Sequence, residues 1–138
     1  MLTLDEATGL CTAAQAAASD QGLAMSFAVM DAGGHLLAFV RMDGAAWITA
    51  DIAQGKAWTA AAYGMPSAGQ RSKLESMPIF ATAITTMTGG RFTPQTGAVP
   101  VYRDGQLLGA VGASGGTGDQ DEQVCRNAVE SAGFSTEG

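Results

Sequence analysis

The chain has 138 residues, 46% of them hydrophobic and 14% charged, with a formal charge of -6 and an isoelectric point near 4.4. That length suits a single domain over residues 1–138 with a buried core, and the acidic balance, with seven basic residues scattered along the chain, excludes nucleic acid as a main partner. A mean hydropathy of +0.12 is high for a small monomer, so assembly into a homo-oligomer is expected.

The first predicted element is a helix. Thr3-Leu4-Asp5-Glu6 has the capping-box pattern, in which the Thr hydroxyl and the Glu carboxylate each satisfy a backbone N–H left over at a helix start. Leu4, Ala7, Cys11, Ala14 and Ala18 would form its buried stripe, and Gly22 its stop. Ala24 to Met30, Asp31-Ala32-Gly33-Gly34 and His35 to Arg41 read as a β-hairpin. Period-two alternation then puts His35, Leu37, Phe39 and Arg41 on one face and Leu36, Ala38 and Val40 on the other, provided the strand has no bulge. Both sets are mostly apolar, which predicts cover on both sides. An alanine-rich helix follows from Thr49 or Asp51 to about Tyr63, stopped by Gly64 and Pro66. Ser67 is a candidate cap for a short helix, and Ile79 to Met87 reads as helix in preference to strand.

Val99 to Arg103, Asp104-Gly105 and Gln106 to Ala113 give the strongest hairpin signal, because Asp-Gly suits a two-residue primed turn. Gly109 and Gly112 inside that second strand imply close approach by backbone or ligand. The run Ser114 to Glu122 feeds a closing helix to about Ala132, with Val124, Ala128 and Ala132 as its apolar stripe and Glu122, Arg126 and Glu130 spaced for ion pairing. The order is not one of repeated βαβ units. It predicts an α/β protein of the α+β type, an antiparallel sheet of about five strands flanked by helices, as in profilin-like or roadblock-like folds.

The amino terminus has neither the basic stretch nor the apolar run of a secretory leader, and no apolar window approaches membrane-spanning length, so a cytoplasmic location is the default and no membrane partner is expected. Cys11 and Cys125 lack every metal-site or redox spacing and read as small buried hydrophobes.

Four side chains are candidates for chemistry. His35, the only histidine, follows a Gly-Gly turn and suits either a haem ligand or a general base, the alternative being a polar residue that merely opens a strand. Arg41 is able to grip a carboxylate or a haem propionate, or else to pair with Asp43. Lys56 stands almost alone on an apolar helix, with Asp51 at the wrong spacing to pair with it. It would bind an anion in an interior cleft or act as a base there, or else lay its stem over apolar surface. Glu122 is a candidate acid or base beside the glycine-rich run, and that run itself is a weak anion site that plain helix capping explains as well. With one histidine, a hydrolase triad is not expected.

Val29-Met30-Asp31-Ala32-Gly33-Gly34-His35-Leu36, Arg41-Met42-Asp43-Gly44, Asp51-Ile52-Ala53-Gln54-Gly55-Lys56-Ala57 and Gly109-Ala110-Val111-Gly112-Ala113-Ser114-Gly115-Gly116 with Gln120-Asp121-Glu122 together resemble the GlcG/HbpS family, which includes the carboxy-terminal domain of PduO-type proteins. The resemblance covers nearly the whole chain in order. It implies an antiparallel sheet with flanking helices, homo-oligomeric assembly and, in some members, haem binding tied to redox sensing. On that resemblance His35 is the haem ligand to test and Thr117 a second, weaker one, while Arg41, Lys56 and Glu122 would line the pocket. Thr96-Gly97-Ala98-Val99-Pro100 departs from the two glycines that commonly precede Val-Pro in the family. Two functions follow: a small-ligand-binding protein that takes haem or senses redox state, or a cofactor-free enzyme on a small carboxylate or carbonyl compound. In the enzyme, Lys56 and Arg41 would hold the anion and His35 or Glu122 would move a proton.

Overall fold

A computed structural model describes residues 1–138. In chain order the elements are α1 (Leu4–Asp20), β1 (Ser26–Asp31), β2 (Leu36–Arg41), α2 (Thr49–Tyr63), α3 (Ser67–Leu74), α4 (Pro78–Met87), β3 (Ala98–Arg103), β4 (Gln106–Ser114) and α5 (Gly118–Ser131). The sheet has four strands in the order β2-β1-β4-β3, with every neighbouring pair antiparallel. The count is thus four and not about five, because everything between the two hairpins is helix and turn. No helix is long and apolar enough to cross a membrane.

Local chemistry explains most element ends. Thr3 and Glu6 form the capping box that starts α1, and Gly64, at φ +63°, closes α2 in the left-handed region that favours glycine. The turn between β3 and β4 places both Asp104 and Gly105 at positive φ, as the primed hairpin turn requires. Ser67 is not a cap. It is the first residue of α3, and its hydroxyl is spent accepting a hydrogen bond from the Ala98 N–H at 3.0 Å, which ties α3 to the start of β3.

The two faces of the sheet are packed differently. On one face Phe27, Val29, Val99, Val101 and Val111 meet α1 and α5 through Leu10, Cys11, Val124 and Val129. Leu4 points outward and Leu10 takes its place in the α1 stripe, while Ala132 falls outside α5 and is exposed. The other face is built from Ala28, Ala98 and Ala110 against Ala53, Ala57 and Ala60 of α2. Small residues let α2 lie almost on the strands. A Cβ at Gly112 would collide with the Ala53 carbonyl and lie 2.7 Å from the Ala57 nitrogen, so the close approach predicted at that glycine is by backbone. Gly109 is pressed in the same way by the Met30 carbonyl.

The strand β2 departs from simple alternation. Val29 pairs with Ala38 and Met30 with Leu36, leaving Leu37 as a bulge. Leu37, Ala38 and Val40 therefore all pack toward the α1/α5 core, and the alternation that grouped Leu37 with His35 and Arg41 is broken. Leu36 and Phe39 are partly exposed, so the second face of this edge strand is not covered within the subunit.

Cys11 and Cys125 are unpaired and buried. Burial pushes the Cys11 thiol up to about 11 and the Cys125 thiol higher still, the latter also through the charge of Asp121. Since the thiolate is the reactive form, iodoacetamide at pH 8 is expected to leave both unmodified in the native protein and to label both in denaturant, as mass spectrometry will show. Rapid native labelling of either would place that thiol at the surface.

Candidate functional site

The first cluster is the β1–β2 turn. One oxygen of Asp31, Oδ1, accepts from the Gly33 N–H at 2.9 Å and from the His35 N–H at 3.0 Å. The same oxygen lies 3.3 Å from His35 Nδ1. Burial raises the Asp31 pKa, but those backbone N–H groups and the imidazole outweigh it and hold the carboxyl below its ordinary 3.8. The imidazole is 80% exposed, and a Cβ at Gly33 would come within 3.0 Å of its Cε1. Nδ1 of the ring thus faces the Asp31 carboxylate while most of the imidazole is open to solvent, an arrangement that suits a metal ligand.

On the other side of the turn, Gly34 carries the Trp58 indole: a Cβ there would stand 2.9 Å from Trp58 Nε1. Met30, Gly34, Leu36, Gln54, Trp58 and Arg91 border a cleft of about 350 Å³. The Arg91 guanidinium lies 6.0 Å from the Trp58 ring centroid, within reach of a cation–π contact.

The second cluster is buried. Lys56 is 5% exposed, and its Nζ donates to Asp121 Oδ2 at 2.9 Å and to the Ala113 carbonyl at 3.2 Å. The other carboxylate oxygen of Asp121 accepts from the Gly116 N–H at 2.9 Å. Burial raises the Asp121 pKa above its ordinary 3.8, against the pull of Lys56 and Gly116. The preceding loop presses on this pair, and a Cβ at Gly97 would come within 2.6 Å of Nζ. Lys56 thus points inward as its isolation on the helix suggested, and a carboxylate answers its charge. That carboxylate was the residue missed: Asp121 lies in the Ser114–Glu122 run, which plain helix capping explained. The available signal was Lys56 itself, since an ammonium on a buried alanine-rich face demands a counter-charge.

The remaining candidates are dispersed. Arg41 is exposed at the end of the edge strand opposite Ser26 and makes no ion pair, with Asp43 or otherwise. Thr117 caps α5, its hydroxyl accepting from the Gln120 N–H at 3.2 Å. Glu122 sits 3.6 Å from Arg126, with Oε1 buried and without a partner. Within one subunit no cavity is lined by more than one of His35, Arg41, Lys56, Thr117 and Glu122.

The comparisons with known proteins agree with one another. A family model described as haem degrading protein HbpS-like matches residues 2–130. Protein GlcG of Escherichia coli K12 is 41% identical over 117 residues, which is 83% of this chain and 81% of that protein. Among solved structures, a PduOC:haem complex superposes with a TM-score of 0.86 at 26% identity, covering 95% of this chain and 94% of the other. A double mutant of HbpS from Streptomyces reticuli superposes at 0.83 with 33% identity, covering 96% and 87%.

Proposed function

This chain belongs to the HbpS-like family, and on that premise we propose that it binds haem, as a homo-oligomer, with His35 as the residue that would hold the iron. The carrying observation is the exposed imidazole on the β1–β2 turn, with Nδ1 3.3 Å from the Asp31 carboxylate. The donor set fits the group. No three His, Cys, Asp or Glu side chains are placed to hold a bare metal ion, whereas haem iron, already held by its porphyrin, asks the protein for only one or two axial ligands. Bound haem would supply a redox-active iron, and its change of oxidation state is the signal in the redox-sensing form of this reading.

The chain's own residues divide the remaining work. Leu36 and Phe39 on β2, and Trp47 and Ile48 between β2 and α2, are large apolar side chains left exposed, and they offer cover for an apolar macrocycle. Arg41 and Arg91, both without an ion-pair partner, are the cations available to propionates. Thr117 is the weaker second ligand, because its hydroxyl is already engaged at the cap of α5. A cytoplasmic location accords with two unpaired buried cysteines.

Assembly is supported by α4, none of whose residues is buried although Ile79 is 86% and Met87 78% exposed. Water does not stabilise so apolar a helix standing free, and a second copy is the cover the reading assigns to it. No cleft of one subunit exceeds about 430 Å³, so the haem would be shared with a neighbour. Haem titrated into the purified protein is expected to give a saturable Soret band, and absence of saturation would overturn the proposal. Ile79→Asp with Phe80→Asp is expected to lower the solution mass measured by light scattering to that of a smaller species. An unchanged mass would place the interface elsewhere.

A further inference from the structure

We propose that the cleft above the Lys56–Asp121 pair binds a small monoanionic carboxylate, at a site separate from the haem-binding turn. The cleft measures about 310 Å³ and is bordered by Ile52, Lys56, Arg71, Gln95, Thr96 and Ser114, with Asp121 and the glycines 116 and 118. Three donors in it are unspent. An ammonium has three N–H groups, and Lys56 uses two of them, on Asp121 and Ala113. The Ser114 residue is only 6% exposed, and no hydrogen bond within the chain engages its hydroxyl. It borders the cleft and is free to bond what enters it. Arg71, on α3 at the mouth, makes no ion pair with any residue of the chain.

Charge selects the ligand class. Lys56 and Asp121 cancel, and Arg71 leaves the lining with one net positive charge. A monoanion balances it, whereas a dianion would meet the Asp121 carboxylate without a second free cation. The guanidinium fork matches the two oxygens of a carboxylate. The Lys56 ammonium and the Ser114 hydroxyl are then placed for an oxygen substituent elsewhere on the ligand, and Gln95 and Thr96 make the wall polar. The volume lies at the small end of ligand sites, and Ile52 is the one apolar side chain of the lining. That polar, narrow space suits a hydroxy or keto acid of a few carbons and not a macrocycle.

The test is thermal unfolding of the haem-free protein in sodium lactate against sodium chloride of equal ionic strength. A ligand that binds only the folded state raises the midpoint saturably, and lactate is expected to do so. Arg71→Ala, a change at the exposed mouth, is expected to weaken the lactate effect by about tenfold, the loss of one charge-assisted contact. Ser114→Ala is expected to weaken it less. No saturable shift with lactate, or an equal shift in Arg71→Ala, overturns the inference, as does stabilisation by sulfate with none by lactate. The Soret titration reads the other site independently: Arg71→Ala is expected to leave it unchanged, and failure of haem to bind would leave the lactate result standing.

Discussion

Lys56→Met alone is expected to destabilise the fold by about 3–5 kcal/mol, the usual cost of leaving one member of a buried ion pair without its partner. Asp121, with a side chain 3% exposed, would be stranded beside the core, since its remaining hydrogen bond, from Gly116, does not neutralise a charge. Lys56→Met combined with Asp121→Leu is expected to recover most of the loss, because two apolar side chains of similar size need neither counter-charge nor hydration. Urea unfolding reads both variants, with the m-value checked for constancy. A single-variant loss under about 1 kcal/mol would mean that the pair is solvated like a surface salt bridge. A double variant no better than the single would mean that the carboxylate matters through its bond to the Gly116 loop and not through its charge.

His35→Ala is expected to abolish the saturable Soret band, and added imidazole to restore part of it, since free ligand then fills the position the side chain vacated. Asp31→Asn is the more informative partner. It keeps a side-chain oxygen for the turn but removes the charge facing Nδ1, and changes of this kind behind a metal-bound histidine typically cost about 10–100-fold in affinity. The Asp31 carboxyl is depressed in the folded chain, so the stability it lends is present above its unfolded value and fades only as pH falls through the lower folded one. The turn accordingly stays closed throughout the neutral range. An unchanged band in His35→Ala would remove the axial assignment, and Thr117 would be the next side chain to vary.

What the sequence disclosed follows the range of the interactions concerned. The capping box at Thr3, the Asp104-Gly105 turn and the stop at Gly64 are settled within a few residues of themselves, and each was legible. The bulge at Leu37 was not, because it arises from how β2 matches the registers of β1 and the core, and a period of two carries no mark of the slip. Lys56 stood out by its isolation on an apolar helix, but whether it lay inside or over the surface was open, and its partner was hidden because Asp121 is 65 residues away in sequence. The α4 stretch read correctly as helix from its composition. That none of it would be buried in the subunit was visible only as the excess of apolar residues that pointed to self-association. His35, Arg41 and Lys56 looked alike as polar residues in apolar surroundings, yet one lies on a turn, one at an outer edge and one within the core. Periodicity assigns a face to a side chain and does not assign a depth.

The strand order carries a last consequence, for the growing chain. The central strand β1 is flanked by β2 and β4, and β4 is made only after α2, α3 and α4 have been synthesised. Until then one edge of an apolar hairpin has no mate. Nascent chains halted anywhere between Met42 and Gly97 would therefore offer an unsatisfied ladder of N–H and C=O groups, a template for wrong partners. Stalled ribosomes bearing such lengths should recruit holding chaperones, and release from them should coincide with emergence of Gln106–Ser114, the strand that pairs with β1.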